Sequence, residues 1–527
     1  MIHQTWHAPE YTGNRGTPAS WRELNPGWDY HLWQDSELDA FLDTHYPKYI
    51  DLFRGYPNPV QRADLGRYLL LHRFGGLYAD IDTDCLASLE PLVPEDRIIL
   101  CEEPPLNWRA ARTFGMDRLL FNGTMASPAG HPFWLHLATL ALRCRFAAQK
   151  DVLISTGPVL LTAAVERWGR PEDFSLNSCD LFAPVAADHK GPQGPTYGDH
   201  ADLRLSRHNW AGSWFGTPRN DAWVRWKGKL RAARARLGQR LTPIGSEALE
   251  ALDRDSLLDA PPPHDPAAPA QVAIFVPVRD GARFLDRHWA LIDTLDWPRD
   301  RLRLVYCEGD SIDDSRARLL DFRDRRAGDF AGIEVLQHQV GLRLDRHERW
   351  KPEHQLRRRS AIASVRNTLI RDGLRDADDW VLWLDVDVCD MPPDLLLRLL
   401  AARAKIVVPD CVIEPGGRSY DLNTHRDLDT VRKSQYFKYV RDGLFQPPAD
   451  YVHRLHMHDM RFAERVTLTA VGGAVLLVHG SVHRAGLTFP ERPYRHLIET
   501  EAFGRMAHDA GLPPIGLPQV EVCHVDH

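Results

Sequence analysis

The chain has 527 residues, 43% of them hydrophobic and 26% charged, with a formal net charge of −7. That length calls for at least two domains and would allow three, and the charge balance excludes a general nucleic-acid binder. Eight cysteines (Cys85, Cys101, Cys144, Cys179, Cys307, Cys389, Cys411 and Cys523) are scattered without a C-x-x-C pair. This pattern favours reduced thiols in a cytosolic chain over a disulfide frame or a zinc site. The opening MIHQTWHAPEYTG has no basic-then-apolar signal pattern, and no apolar run approaches the roughly 18–20 residues of a membrane helix. A soluble cytoplasmic protein is expected, with a peripheral contact at the inner membrane face left open.

In chain order, residues 2–6 read as a first strand, the turn Asn25-Pro26-Gly27-Trp28 leads into a strand at 30–33, and helices follow near 36–45 and 59–74. Leu65, Leu69 and Arg73 keep helical spacing, and Gly75-Gly76 ends that helix. Residues 77–82 then alternate, which sends Tyr78, Asp80 and Asp82 to one side of a strand. Short strands are expected at 98–101 and, as strand or loop, at 119–126; helices at 131–148 and 156–167; and residues 207–214 close this half. Residues 218–258 read as charged helix, and the Pro/Ala-rich 261–270 as a semi-rigid linker. The domain limits drawn from this are 1–245, a linker 246–270, and 271–527.

Past the linker, strands are expected at 272–278, 302–307, 333–338, 380–384, 405–409, 466–468, 474–478 and 520–524, with helices at 360–372 and 494–510. The basic run Arg343 to Arg359 reads as a solvated loop. Trp380 to Leu384 is nearly all apolar, as a central strand covered on both faces requires, and it ends in Asp385-Val386-Asp387. Alternating strand and helix in both halves predicts two parallel-rich, three-layer α/β domains.

The two Asp-x-Asp pairs carry the chemistry. Carboxylates about 6–7 Å apart repel by roughly 2–3 kcal/mol at an effective dielectric near 20, and a divalent cation with oxygen ligands removes that cost. At the carboxyl end of a buried strand they sit where open α/β sheets bind ligands. Asp-x-Asp by itself is weak: Asp253/Asp255 and Asp427/Asp429 read as solvated charges. Trp6, Trp28 and Trp33 read as core, and Gly472-Gly473 as a tight turn.

Over residues 1–217 the motifs IHQTW, NPGWDYHLW, RADLGRY, GGLYADIDTD and HNWAGSW resemble glycosyltransferase family 32, the Asp-x-Asp sugar transferases. The resemblance implies a nucleotide-sugar fold of the GT-A type and retaining transfer. Asp64 and Arg67 would hold donor sugar and phosphates, and Tyr78 and Asp80 would contact sugar or ribose. Asp82 would bind the metal with His208 or Asn209 and Ser213, and Trp214 would lie against the diphosphate. The family's His-His-Trp stands here as His208-Asn209-Trp210.

Over 271–527, Arg366-Asn367, WVLWLDVDV, YDLN, AVGGAVLLV, VHRAGLTFP, IETEAFGRMA and GLPQVEVCH resemble glycosyltransferase family 62, the mannosyltransferases of fungal mannan polymerase complexes. This resemblance implies a second GT-A domain and GDP-mannose as donor. Asp385 and Asp387 would serve nucleotide and metal, with Arg366 and Asn367 at the donor. His483 would be the third metal ligand, and Glu499 and Glu501 would lie near sugar or acceptor. Thr469 stands where the family carries Asp.

Together these imply a bifunctional retaining glycosyltransferase. It would use Mn2+ (or Mg2+) and nucleotide sugars to extend a glycan or glycolipid, with no nucleic-acid partner. The alternatives are a chain with one active half and one acceptor scaffold, a non-catalytic carbohydrate-binding protein, or a nucleotide-sugar hydrolase.

Overall fold

The computed structural model describes residues 1–12, 18–92, 96–185, 204–210, 249–342, 344, 351–428, 436–448 and 451–526. Ser213 and Trp214, most of the expected 218–258 helix, the 245/246 limit and most of the basic stretch after Leu342 lie outside these residues. The chain divides into two compact units: Met1–Arg219 with Asp459–Ala463, and Asn220–His458 with Glu464–His527. All eight cysteines are free thiols. No described helix is long and apolar enough to cross a membrane.

In the first unit β1 (Ile2–Trp6) lies parallel to β2 (Tyr30–Gln34) and to β3 (Gly76–Ala79). A short β4 (Thr83–Cys85) follows, then β5 (Ile98–Cys101), β6 (Thr124–Ser127), β7 (Phe174–Asn177) and β8 (Ser206–His208). The main sheet runs β2-β1-β3-β6-β5-β7, with β6 antiparallel to both β3 and β5. β4 and β8 form a separate antiparallel ribbon in which Thr83 faces His208.

The helix Pro59–Phe74 falls where its pattern predicts. Asn58 caps it by accepting from Val60 N (3.2 Å), and Pro59 stands at its first position. The glycines after it do more than stop it. Both hold left-handed φ values (+64° and +85°), and a Cβ at Gly75 would sit 2.5 Å from Ala129 N. A Cβ at Gly76 would strike Met1 O. β3 ends at Ala79, so the expected strand through Asp82 is a strand followed by a turn, Thr83 N donating to Asp80 O at 3.1 Å.

The second unit holds β9 (Val272–Val278), β10 (Leu302–Glu308), β11 (Gly332–Gln337), β12 (Trp380–Leu384), β13 (Val388–Asp390) and β14 (Ile406–Val412). Two small ribbons follow: β15 (His425–Asp427) pairs with β18 (Arg454–His456), and β16 (Val440–Arg441) with β17 (Leu444–Phe445). β19 (Val466–Thr467), β20 (Val475–His479) and β21 (Ile515–His524) complete the set. The large sheet runs β11-β10-β9-β12-β20-β14-β21-β13. Its first four strands are parallel, and β12–β20 and β14–β20 are antiparallel. The α/β class holds in both units, but each sheet is mixed: besides the parallel block of its first strands, each has a second parallel pair, β5–β7 and β14–β21, beyond the antiparallel strand.

β12 is buried along its whole length, Trp380 through Leu384, which is why it could be written almost entirely in apolar residues. Two expectations fail nearby. The helix expected from residue 360 begins at Pro352 and runs to Thr368, so Arg357–Arg359 belong to a helix and not to a solvated loop. The helix expected at 494–510 is Glu499–Asp509.

Candidate active sites

In the first unit, Asp64 and Arg67 lie three residues apart on the helix Pro59–Phe74, both almost wholly buried. Arg67 Nη2 stands 3.1 Å from Asp64 Oδ1 and 2.9 Å from Asp80 Oδ1, so the guanidinium ties the helix to the turn after β3. Asn122 Nδ2 (3.0 Å) and Thr156 Oγ1 (2.8 Å) donate to the two oxygens of Asp64. Burial raises the Asp64 pKa, and Arg67 opposes it. The Tyr78 ring is fully buried, its hydroxyl between Thr5 Oγ1 (3.0 Å) and Asp80 Oδ1 (3.2 Å). Tyr78 therefore holds Asp80 in place; the expected direct contact with sugar or ribose is not available to a buried ring.

β8 delivers His208 from across the ribbon. Its Nε2 lies 3.1 Å from Asp82 Oδ1 and 3.6 Å from Asp80 Oδ2. Asp80, Asp82 and His208 bring three ligand atoms within 4.8 Å of one another. Burial opposes charge on His208, but Asp82 and Asp80 outweigh it and lift its pKa to about 10. The Trp210 N–H points at His208 Nδ1 (3.2 Å), which fixes a neutral ring's proton on Nε2, facing Asp82. Asn209 is corrected as a ligand: its amide donates to Asp84 Oδ2 (3.0 Å) and its backbone N–H to Asp82 O (2.9 Å). Gly123 makes room for the pair, since a Cβ there would sit 2.6 Å from Asp80 Oδ2.

The second unit repeats the pattern with other elements. Arg366, on the helix Pro352–Thr368, puts Nη2 3.2 Å from Asp385 Oδ1 and donates to Gly473 O (3.2 Å). Its Nε and Nη1 are buried without a hydrogen-bond partner among the described residues. Burial raises the Asp385 pKa against the pull of Arg366, and Asp387 adds to the rise. The histidine here is His524, at the end of β21, with Nε2 2.9 Å from Asp387 Oδ1 and Nδ1 2.8 Å from Val525 O. Burial lowers the His524 pKa, but Asp387, with help from Val525 O and Asp385, raises it on balance. Asp421 joins the cluster: Gly473 N (2.9 Å) and Ala474 N (3.3 Å) donate to its Oδ2. Gly472-Gly473 is thus a fitted pair and not only a turn. A Cβ at Gly472 would overlap the Asp421 carboxylate, and one at Gly473 would sit 2.5 Å from Arg366 Nη2.

Three further expectations are corrected. His483 is a fold histidine: Nε2 accepts from Trp383 Nε1 (3.2 Å), Nδ1 lies 2.9 Å from Leu487 O, and burial drives its pKa to about 4. With both nitrogens engaged it has no lone pair for a metal. Asn367 donates to Phe489 O (2.9 Å) and accepts from Phe489 N (3.1 Å), so its amide clamps a loop and not a nucleotide. Glu501 pairs with Arg454 (3.1 Å) and accepts from Ile498 N (3.4 Å), an internal ion pair and helix cap. Asp427, read as solvated, shares the same Arg454 at 3.1 Å. Glu499, expected near sugar or acceptor, meets Arg359 at 3.3 Å and is buried at the start of its helix.

Sequence reasoning missed Asn122, Thr156, Asp421 and His524. Asp421 and His524 stood inside motifs that were recognised (YDLN and GLPQVEVCH) but carried no distinguishing spacing.

Residues 14–99 match the family model described as the glycosyltransferase sugar-binding region containing the DXD motif, and residues 263–493 match the Anp1 model. Mannan polymerase complex subunit mnn9 of Schizosaccharomyces pombe is 30% identical over 271 residues, 48% of this chain and 80% of that protein. Inositol phosphoceramide mannosyltransferase 3 of the same yeast is 31% identical over 177 residues; the match spans 33% of this chain and only 46% of that relative. Among solved structures, a mannosyltransferase from Pyrobaculum calidifontis in complex with GDP-Man and Mn2+ matches at 15% identity and TM-score 0.29, covering 57% of this chain and 68% of that one. The DXD sugar-binding model and these relatives place the chain among the glycosyltransferases, and both units have the expected α/β class. Within the glycosyltransferases, the chain belongs to the Anp1 family, and its N-terminal part carries the sugar-binding DXD region.

Proposed function

We propose that the chain is a metal-dependent retaining glycosyltransferase with two active sites, in modules 1–245 and 271–527. The C-terminal module transfers mannose from GDP-mannose, and the N-terminal module a hexose from a nucleotide sugar. Both act on a growing glycan or glycolipid.

One observation carries this reading. In each unit an Asp-x-Asp pair has its first carboxylate held by a buried arginine (Arg67, 2.9 Å; Arg366, 3.2 Å) and its second by a histidine distant in sequence (His208, 3.1 Å; His524, 2.9 Å). Carboxylate oxygens beside an imidazole nitrogen fit Mn2+ or Mg2+. Asp80 and Asp82 with His208, and Asp387 with His524, are the residues that would hold it. A divalent cation bound there supplies positive charge against the diphosphate leaving group.

The chain's own residues do the remainder. Arg366 offers two buried nitrogens, Nε and Nη1, without a partner among the described residues, suited to phosphate oxygens. Asp421, fixed by two backbone N–H groups, keeps Asp385 and Asp387 in an acidic environment that rewards a cation. The buried Trp383 and Phe489 rings, each 5.3 Å from the Arg366 guanidinium, keep water from that cation. A leaving phosphate oxygen accepts the acceptor's proton, so no side-chain base is assigned.

The test is transfer by the full chain from a panel of nucleotide sugars with Mn2+. Asp82→Ala and Asp387→Ala should each abolish a different transfer. A double variant that still builds the full product sinks the reading. A second reading, with only the C-terminal site active, is favoured by the backbone N–H aimed at His208 Nδ1, which directs that ring's proton toward Asp82. It predicts that Asp82→Ala leaves every transfer intact.

A further inference from the structure

The χ2 torsion of a histidine is broad, so its rotamer alone does not fix the plane of the ring. In the second site the two ring nitrogens of His524 are engaged at the ring's edge, Nε2 with Asp387 Oδ1 at 2.9 Å and Nδ1 with Val525 O at 2.8 Å. The face of the ring is covered by Tyr420. The two ring centroids are 4.1 Å apart and the planes only 19° from parallel. Stacked contact between aromatic rings is favourable, and it opposes tipping of one ring against the other. His208 in the first site has no stacked partner among the described residues: Phe121 and Trp210 meet it edge to face, at 79° and 72°.

The stretch that carries Tyr420 is anchored at each residue. β14 lies parallel to β21, with Val412 opposite Cys523, the residue before His524. Tyr420 N donates to Cys411 O (2.6 Å), which stitches its backbone to the strand beside the one that ends in His524. Ser419 donates from Oγ to Asp410 Oδ1 (2.5 Å) and from its N–H to His458 Nδ1 (3.0 Å). Asp421 accepts from Gly473 N and Ala474 N. The Tyr420 ring is half-buried and packs on the apolar core of the unit. An aliphatic side chain could meet that core equally well, but only a planar ring lies flush on an imidazole.

We propose that Tyr420 is a positioning residue of the second site, its ring holding the His524 imidazole in the orientation that presents Nε2 beside Asp387, where a divalent cation would bind. The proposal rests on reading that site as metal-dependent and adds the group that orients its nitrogen ligand. Tyr420 acts through His524, and it does so with the face of its ring, so the hydroxyl is dispensable.

The test is Mn2+ binding to the full chain in the presence of GDP, followed by electron paramagnetic resonance of the free ion. The parent carries Asp82→Ala, so that only the second site reports. Tyr420→Leu should raise the Kd for Mn2+ about tenfold, and Tyr420→Met, a second variant without a planar ring, should match it. Tyr420→Phe keeps the ring and should stay within about twofold of the parent. In a chain that also carries His524→Gln, Tyr420→Leu should add nothing, because the contact it removes is already gone. The role is overturned if the Leu and Met variants bind Mn2+ like the parent, or if the Phe variant loses as much as they do. It is also overturned if Tyr420→Leu weakens binding equally with and without His524. Loss of the melting transition in both the Leu and Met variants makes Tyr420 a folding residue and overturns the role too. A parent that binds no Mn2+ overturns the metal-dependent reading and the proposal with it, whereas Mn2+ binding that the variants leave unchanged removes Tyr420 alone.

Discussion

The two sites set an arginine and a histidine on the same kind of carboxylate pair, yet they assemble them by different routes. In the first unit the arginine comes from the helix just before the pair and the histidine from a separate two-stranded ribbon. In the second the arginine precedes β12 on the helix Pro352–Thr368, and the histidine ends β21, a strand of the main sheet. Both sites also need a glycine where a carboxylate would otherwise meet a Cβ, Gly123 against Asp80 and Gly472 against Asp421.

The instructive difference is in the histidines. His524 has an acceptor at each nitrogen, Val525 O at Nδ1 and Asp387 Oδ1 at Nε2, so a cation can displace the Nε2 proton while Nδ1 keeps its own. His208 has an N–H at Nδ1, so the neutral ring presents a proton to Asp82. With a cation at Nε2, as the proposed function requires, the His524 ring would stay neutral and keep its proton on Nδ1 for Val525 O. At the first site, where the ligand atoms of Asp80, Asp82 and His208 lie within 4.8 Å of one another, a cation at Nε2 would require the His208 ring to give up the Trp210 N–H and carry its proton on Nδ1.

The largest expected effect comes from the carboxylates. Asp82→Asn and Asp387→Asn should each lower their own transfer by about 10³-fold or more, measured as product formed per site at saturating Mn2+. The histidines sharpen the contrast. His524→Gln should raise the Mn2+ concentration needed for half-activity by about 10–100-fold. His208→Gln, whose amide can still donate to Asp82, should stay within about tenfold of wild type. Equal Mn2+ shifts in the two would break the distinction.

Smaller effects concern the fold beneath each site. Gly472→Ala should lower stability by about 1–3 kcal/mol, read as a melting shift, because the Asp421 carboxylate must move. Gly123→Ala should do likewise in the first unit.

For His483 the sign is definite. Its folded pKa, about 4, lies below the ordinary value near 6.5, so the stability it confers is complete above about 6.5 and is lost as pH falls toward 4. His483→Gln should flatten the melting temperature against pH in that window and leave the Mn2+ requirement unchanged. A changed Mn2+ requirement would return His483 to the metal site.

The first unit offers the mildest test. It includes Asp459–Ala463, where Lys150 Nζ meets Asp459 at 2.5 Å and Arg167 donates to Phe462 O at 2.9 Å. Residues 1–245 produced alone should therefore melt lower than the same unit in the full chain.

Much of the fold was legible because it is local. The helix at 59–74 declares itself by periodicity, Asn58-Pro59 at its start and Gly75-Gly76 at its end. β12 declares itself by an unbroken apolar run that only burial on both faces explains. Asp80, Asp82, Asp385 and Asp387 were legible as strand-end carboxylates for the same reason. The helix Pro352–Thr368 was not, because its first two turns are basic and mimic a solvated loop.

The sequence by itself determined which strands and helices form and which acidic pairs leave the strand ends, because hydrophobic period and turn chemistry act over a few residues. Only the tertiary structure decided which histidine meets which pair. His483 and His524 differ little as letters in a chain. Their ring nitrogens are assigned by what a distant strand or loop brings within 3 Å, and no local pattern records that.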